Sequence, residues 1–182
     1  MNYIFLADGF ETVEALAVVD MMFRAGIELT KVSMSDSVAV TTSHKVEIKA
    51  DKIFDECDFS DADMLILPGG MPGTVNLEND DRLISLIKKH ATEGKKLSAI
   101  CAAPRVLGRI GLLEGKKACC YPGNEELLKG AKVVYEPVAC DGNFITSRGM
   151  GTVTQFGAAI IESLCGREKA EEILSQIQWM KA

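Results

Sequence analysis

The chain of 182 residues is 47% hydrophobic and 25% charged, which is enough apolar side chain for one well-filled core and points to a single domain, 1–182. Its net charge of −6 and the absence of any basic cluster larger than the pairs Lys88-Lys89, Lys95-Lys96 and Lys116-Lys117 argue against nucleic-acid or anionic-membrane partners. Six cysteines without a Cys-x-x-Cys spacing, and only His44 and His90 to supply imidazole, argue against a disulfide framework and against a zinc site, so a reducing, cytoplasmic setting without a metal is expected.

The start of the chain lacks a basic n-region, and its apolar run is too short for a signal peptide; no stretch approaches the length of a membrane span. Tyr3 to Ala7 reads as a buried parallel strand ending at the turn Asp8-Gly9. From Thr12 to Ala25, apolar residues recur at helical spacing and Gly26 gives the stop, with Glu11 and Glu14 at the helix start. Ile27 to Ser33 is a second strand, and Ser37 to Lys49 alternates like an antiparallel excursion around the polar turn Thr41-Thr42-Ser43-His44. Asp58 to Asp63 is loop. Met64 to Leu67 is a third buried strand, closed by the rigid loop Pro68-Gly69-Gly70-Met71-Pro72-Gly73, which lacks the Gly-Lys-Ser/Thr ending of a P-loop.

Asp80 to Thr92 reads as an amphipathic helix with His90, near its end, a surface or C-terminal helix residue and not a ligand. Pro104 to Ile110 is a helix, Lys117 to Cys120 a short strand carrying the vicinal pair Cys119-Cys120, and Asn124 to Lys129 a helical turn. Val134 to Cys140 and Asn143 to Ser147 flank Asp141-Gly142 as a hairpin. Two helices finish the chain, Thr152 to Leu164 and Glu168 to Gln178, separated by Gly166. Short buried strands alternating with amphipathic helices predict an α/β, doubly wound, mostly parallel sheet with helices on both faces. Ligands bind such a sheet at the carboxyl ends of its strands, where Asp8-Gly9, Gly69-Gly70 and Cys101 all fall.

The stretch Leu97 to Arg105 is the most informative. An apolar run stops on Cys101, and Pro104, three residues later, marks a helix start. Small residues two before and two after, Ala99 and Ala103, fit the crowding of a nucleophile elbow. A thiol at a helix N-terminus is expected to have a lowered pKa. A buried cysteine closing a central strand fits the same residues. Cys57, among carboxylates in Asp55-Glu56-Cys57-Asp58, is the contrasting cysteine, expected to react more slowly.

Gly9 with Glu11-Thr12-Val13-Glu14, the run Asp20 to Ile27, Leu67-Pro68-Gly69-Gly70, Ala99 to Pro104 and Thr146-Ser147-Arg148-Gly149 lie in order along nearly the whole chain. Together they resemble the ThiJ/PfpI superfamily, in the branch of the parkinsonism-associated protein deglycase and its small bacterial homologues. That resemblance implies a flavodoxin-like sheet with a nucleophile elbow of the class I glutamine amidotransferase-like kind, usually in a homodimer. It implies Cys101 as the reactive residue, Glu14 as a protonated carboxyl hydrogen-bonded to it, and the amides of Gly70 and Ala102 as an oxyanion hole. The implied activities are a cofactor-free glyoxalase acting on methylglyoxal and a deglycase acting on early glycation adducts. A protective or chaperone role through cysteine oxidation is the alternative.

This chain has Tyr121-Pro122 where many relatives have a histidine before the proline, which counts against a cysteine peptidase. It has His44 where the branch often carries an arginine at the pocket mouth, while Arg148 keeps the other pocket arginine. Val18, Met21 and Met22 of the first helix are expected to face a partner copy.

Overall fold

The computed structural model describes residues 1–180. In chain order the first half forms β1 (Asn2–Leu6), α1 (Thr12–Arg24), β2 (Leu29–Ser33), β3 (Ala39–Thr41), β4 (Glu47–Lys49), β5 (Lys52–Ile53), β6 (Met64–Leu67), α2 (Gly73–Glu78), α3 (Asp81–Thr92), β7 (Lys96–Ile100) and α4 (Pro104–Arg109). The second half forms β8 (Lys117–Ala118), β9 (Lys132–Val133), β10 (Val138–Asp141), β11 (Phe144–Ser147), α5 (Val153–Cys165) and α6 (Arg167–Gln176). The main sheet has the order β10-β11-β7-β6-β1-β2-β5, and every pairing in it is parallel except β10 with β11. Five of these strands, β2-β1-β6-β7-β11, follow the flavodoxin-like order 2-1-3-4-5.

Both faces of the sheet are covered, so its central strands are apolar throughout instead of alternating with polar residues. Tyr3, Phe5, Leu65, Leu67 and Leu97 pack on one face with Leu77 of α2, Leu83 and Ile87 of α3, and Val106 and Leu107 of α4. Ile4, Leu6, Met64 and Ile66 pack on the other with Ala15, Val18 and Met22 of α1 and Phe156 and Ile160 of α5. Helix α6 docks outside this second layer, Ala170 and Ile173 meeting Met21 and Ile161. Because β1, β6 and β7 are adjacent, the loops at their carboxyl ends converge.

Several expectations need correction. The second strand begins at Leu29, not Ile27, because residues 25–27 still close α1: Gly26, at φ +70°, donates to the Phe23 carbonyl and Ile27 donates to that of Met22, a Schellman closure. The glycines and prolines after β6 hide the short helix α2, whose Thr74 N–H bonds the Gly70 carbonyl at 2.8 Å. The edge strand β5 was not anticipated, and β8 pairs with β9 in a separate two-stranded sheet.

His90 is not on the surface. It is 2% exposed and its Nε2 lies 3.0 Å from the Lys96 carbonyl, tying α3 to the start of β7. Val18, Met21 and Met22 are buried within the chain, because α1 is covered by the sheet on one side and by α5 and α6 on another. They cannot form an outward-facing contact surface.

Candidate active site

Cys101 sits at φ +64°, a left-handed conformation that is unusual for a residue with a Cβ. The elbow is held from both sides: the Cys101 N–H donates to the Ser147 carbonyl at 2.9 Å, and its own carbonyl accepts from the Tyr121 N–H at 2.7 Å. Two residues separate it from α4, a helix of only six residues. Strand β7 therefore delivers the sulfur to the mouth of the sheet, with the α4 side supplying the Ala102 amide.

Glu14 lies in the first turn of α1 and is 1% exposed. Its Oε2 accepts from the Gly69 N–H at 3.0 Å, the Met150 amide also approaches it, and the carboxyl lies beside Cys101. The amides of Gly70 and Ala102 approach the same sulfur. The crowding explains the glycines. A Cβ on Gly69 would fall 2.6 Å from both the Cys101 Cβ and the Glu14 Oε2, and a Cβ on Gly70, at φ +92°, would fall 2.3 Å from the Glu11 nitrogen.

The electrostatics correct one expectation. Burial raises the Glu14 carboxyl to about 7, helped by the charge of Glu11 and opposed by the hydrogen bond from Cys101. Burial also pushes the Cys101 thiol up to about 12, and the charge and hydrogen bond of Glu14 add to this. The Ala102 and Gly70 amides pull it down, but by less. A depressed thiol pKa does not follow, because α4 is short, begins beyond the elbow, and competes with an acid directly against the sulfur. The two groups compete for a proton: thiolate becomes accessible once Glu14 is neutral and no longer repels it.

The other expected residues lie around this centre. Tyr121 is exposed, and its ring edge crowds Gly149, where a Cβ would be 3.3 Å from Cδ2 and 3.9 Å from the Cys101 Sγ. His44 is exposed and reaches the centre only through Glu11, whose Oε1 is 3.6 Å from Nδ1 while its Oε2 caps the Glu14 N–H at 2.8 Å. The loop carrying His44 is stitched down by Gly9 N–H to Thr41 carbonyl and Ser43 N–H to Phe10 carbonyl, both 2.8 Å. The Arg148 guanidinium lies over Tyr135, 5.9 Å from the ring centroid, and its charge acts on the Cys119-Cys120 pair. Neither histidine hydrogen-bonds Cys101. Among the described residues no group of three or more His, Cys, Asp or Glu could hold a metal ion.

Sequence reading left Gly69, Met150 and Glu11 without roles. Gly69 and Met150 act through main-chain N–H groups, which leave no side-chain signature. The signal for Glu11 was its position just before the first helical residue, an N-cap site.

An open parallel sheet with a left-handed cysteine at its elbow, a buried acid against the sulfur and main-chain donors beside it defines a flavodoxin-like α/β protein of the nucleophile-elbow type. The DJ-1/PfpI family matches residues 2–163, and the chain belongs to that family. It is 40% identical over 170 residues to Protein DJ-1 homolog B of Arabidopsis thaliana, covering 92% of this chain but only 39% of that protein. It is 33% identical to Deglycase PfpI of Pyrococcus furiosus over 83% of this chain and 92% of that one. Among solved structures, oxidized Toxoplasma gondii DJ-1 superposes with a TM-score of 0.94 at 31% identity, covering 99% of this chain and 98% of that one. Among the described residues no helix is long and apolar enough to cross a membrane.

Proposed function

We propose that this protein is a cofactor-independent, cysteine-dependent glyoxalase or deglycase acting on reactive aldehydes such as methylglyoxal or on their early glycation adducts. The observation that carries the reading is the buried Glu14 carboxyl packed against the left-handed Cys101, a Cβ on Gly69 falling 2.6 Å from both, with the Gly70 and Ala102 amides beside the elbow. The similarity to a protein named a deglycase supports it.

In this mechanism neutral Glu14 accompanies the Cys101 thiolate, which attacks the aldehyde carbon and forms a hemithioacetal. Negative charge moves from sulfur to oxygen, where the Gly70 and Ala102 N–H groups receive it; one such donor is worth about 3 kcal/mol in comparable sites. Glu14 protonates that oxygen and, as carboxylate, takes the proton from the first carbon and returns one to the second, while the hydroxyl proton passes from the first oxygen to the second. The product is a thioester of a 2-hydroxy acid, and water cleaves it to release the acid and the thiol. Methylglyoxal plus water thus becomes lactate with no net oxidation.

The test follows aldehyde loss and lactate formation with purified protein. Turnover that disappears in Cys101→Ser supports the reading; no turnover by the unmodified protein overturns it.

A second reading is a redox-responsive protective protein in which Cys101 is oxidised. A relative described in its oxidized form and a hydrogen-bonding acid at the sulfur favour it. Intact mass after mild peroxide would then show two added oxygens on the unmodified protein and none in Cys101→Ser.

The protein is further proposed to act as a homodimer. The buried residues of α1 do not support this; exposed Val13, Val46 and Met150 do, Val13 in the first turn of α1, Val46 on the loop bonded to Phe10, and Met150 beside Glu14. A monomeric mass by light scattering at micromolar concentration would count against it.

A further inference from the structure

Away from the sulfur, one cluster of charges is buried without any part in the chemistry above. The Glu78 side chain is 5% exposed, yet it ends α2 and receives three hydrogen bonds from two arginines of α4. Its Oε2 accepts from Arg105 Nε at 2.7 Å, and its Oε1 accepts from Arg105 Nη2 and, at 3.0 Å, from Arg109 Nη1. The Arg105 side chain is itself 13% exposed.

The placement is informative because Glu78 and Arg105 each sit at the wrong end of their helix. An acid at a helix C-terminus and a base at a helix N-terminus both oppose the terminal partial charges. Each location becomes favourable only through the other, and the two-pronged guanidinium fork fixes distance and angle as well as charge. Burial adds to this, since removing one partner leaves the other charged and desolvated.

The two helices so joined are those that follow the two amide donors. Helix α2 begins three residues after Gly70, whose carbonyl bonds the Thr74 N–H at 2.8 Å. Helix α4 begins two residues after Ala102, with Arg105 its second residue, and the Arg105 N–H bonds the Ala102 carbonyl at 3.2 Å. In both cases the helix holds the carbonyl of the donor residue, one peptide beyond the N–H itself, whose own peptide is held on its other side by the Glu11 N–H on the Gly69 carbonyl or the Tyr121 N–H on the Cys101 carbonyl.

We propose that Glu78 and Arg105, with Arg109 in support, form a brace that sets the separation of the Gly70 and Ala102 amides; the proposal rests on reading those amides as the oxyanion donors. They are positioning residues and do not touch substrate. The Gly69-Gly70 backbone has no side chain with which to fix its own position; α1 holds it through Glu14 and the Glu11 N–H, and the brace holds it from the α2 side. An oxyanion hole misplaced by about 1 Å loses on the order of 10²-fold in rate.

The experiment uses Glu78→Gln and Arg105→Lys, the second keeping charge while losing the planar fork and serving if the first fails to fold. Amide chemical shifts and hydrogen exchange of Gly70 and Ala102 are measured by NMR, alongside Cys101 alkylation by iodoacetamide and methylglyoxal kinetics. Iodoacetamide needs the thiolate but builds no oxyanion, so its rate reports that the elbow is intact. The expected result is that both amides shift and exchange faster while alkylation, which feels the amides only through thiolate stability, falls several-fold less than kcat. kcat for methylglyoxal falls about 10- to 100-fold with KM little changed. Unmoved amides in a folded variant overturn the brace, and so does an alkylation rate that falls as far as kcat, since that marks a general loss of fold. If the unmodified protein fails to turn over methylglyoxal, the functional reading fails while the amide measurements still decide the brace.

Discussion

The Glu14 carboxyl lies beside Cys101 and burial desolvates both, so the two groups titrate as a pair. A thiol facing the carboxyl favours charge on Glu14, and charge on Glu14 disfavours thiolate. Reactivity at sulfur is therefore governed by the acid beside it.

Removing that charge should expose the effect. Glu14→Gln keeps the shape and a donor but cannot repel a thiolate, and each unit by which the thiol pKa falls gives about tenfold more thiolate below that pKa. Cys101 alkylation by iodoacetamide at pH 8 is expected to be at least about tenfold faster in the variant. Cys57 provides the internal reference, since burial holds its thiol up and its Sγ donates to the Ile53 carbonyl at 3.4 Å. An unchanged Cys101 rate would mean that the charge of Glu14 does not hold the thiol up.

The same carboxyl makes stability depend on pH. Its pKa rises from the ordinary 4.5 to about 7 in the fold, so the folded state holds a proton that the unfolded chain has lost between those values. The stabilisation is complete below about 4.5 and is lost as pH rises through about 7, reaching on the order of 3 kcal/mol. Buried His90, with its pKa lowered by desolvation, acts in the opposite sense but is common to both proteins. Denaturant unfolding from pH 4.5 to 8.5 should thus show Glu14→Gln gaining on the unmodified protein as pH rises. Parallel curves would refute the raised pKa.

Much of this was legible in the sequence, for identifiable reasons. Uninterrupted apolar runs such as Met64 to Leu67 mark parallel strands covered on both faces, and Pro104 three residues after Cys101 marks the elbow, so the fold and the cysteine at its elbow were readable. His90 was misplaced because helical spacing cannot distinguish a polar residue facing water from one facing a buried carbonyl. The outward-facing reading of Val18, Met21 and Met22 failed because one helix was allotted one covered side and α1 has more than one. The donors at Gly69 and Met150 are main-chain groups, and the pairing of Glu78 with Arg105 depends on two helices meeting across 27 positions of sequence.

Gly69 offers a test of that hidden backbone. Gly69→Ala places a methyl 2.6 Å from the Cys101 Cβ and the Glu14 Oε2 and 3.0 Å from the Ile100 carbonyl oxygen, so the elbow, the acid or the loop must move. Overpacking of this kind costs roughly 1–3 kcal/mol. The expected outcome is a folded protein with a lowered melting temperature and aldehyde turnover reduced on the order of 10²-fold, because the reacting groups lose register. A variant of undiminished activity would show that the crowding at Gly69 is not what fixes the site.

The identity of the proton-transfer group can be settled by comparing three variants for methylglyoxal turnover. Glu14→Gln removes the proton that must be given and retaken while preserving the hydrogen-bonding outline, and general acid–base assistance is worth ~10²–10⁴-fold. That loss is expected in kcat even though the thiolate population rises, a combination that only a residue acting after the attack can produce. His44→Ala should act weakly, chiefly on apparent substrate affinity, because the imidazole is exposed and meets the site only through Glu11. His90→Ala should lower the melting temperature and leave kcat alone, since its ring is buried against the Lys96 carbonyl at the far end of β7. Should His44→Ala reduce kcat as far as Cys101→Ser does while Glu14→Gln stays active, imidazole is the base and the protein works as a cysteine–histidine hydrolase.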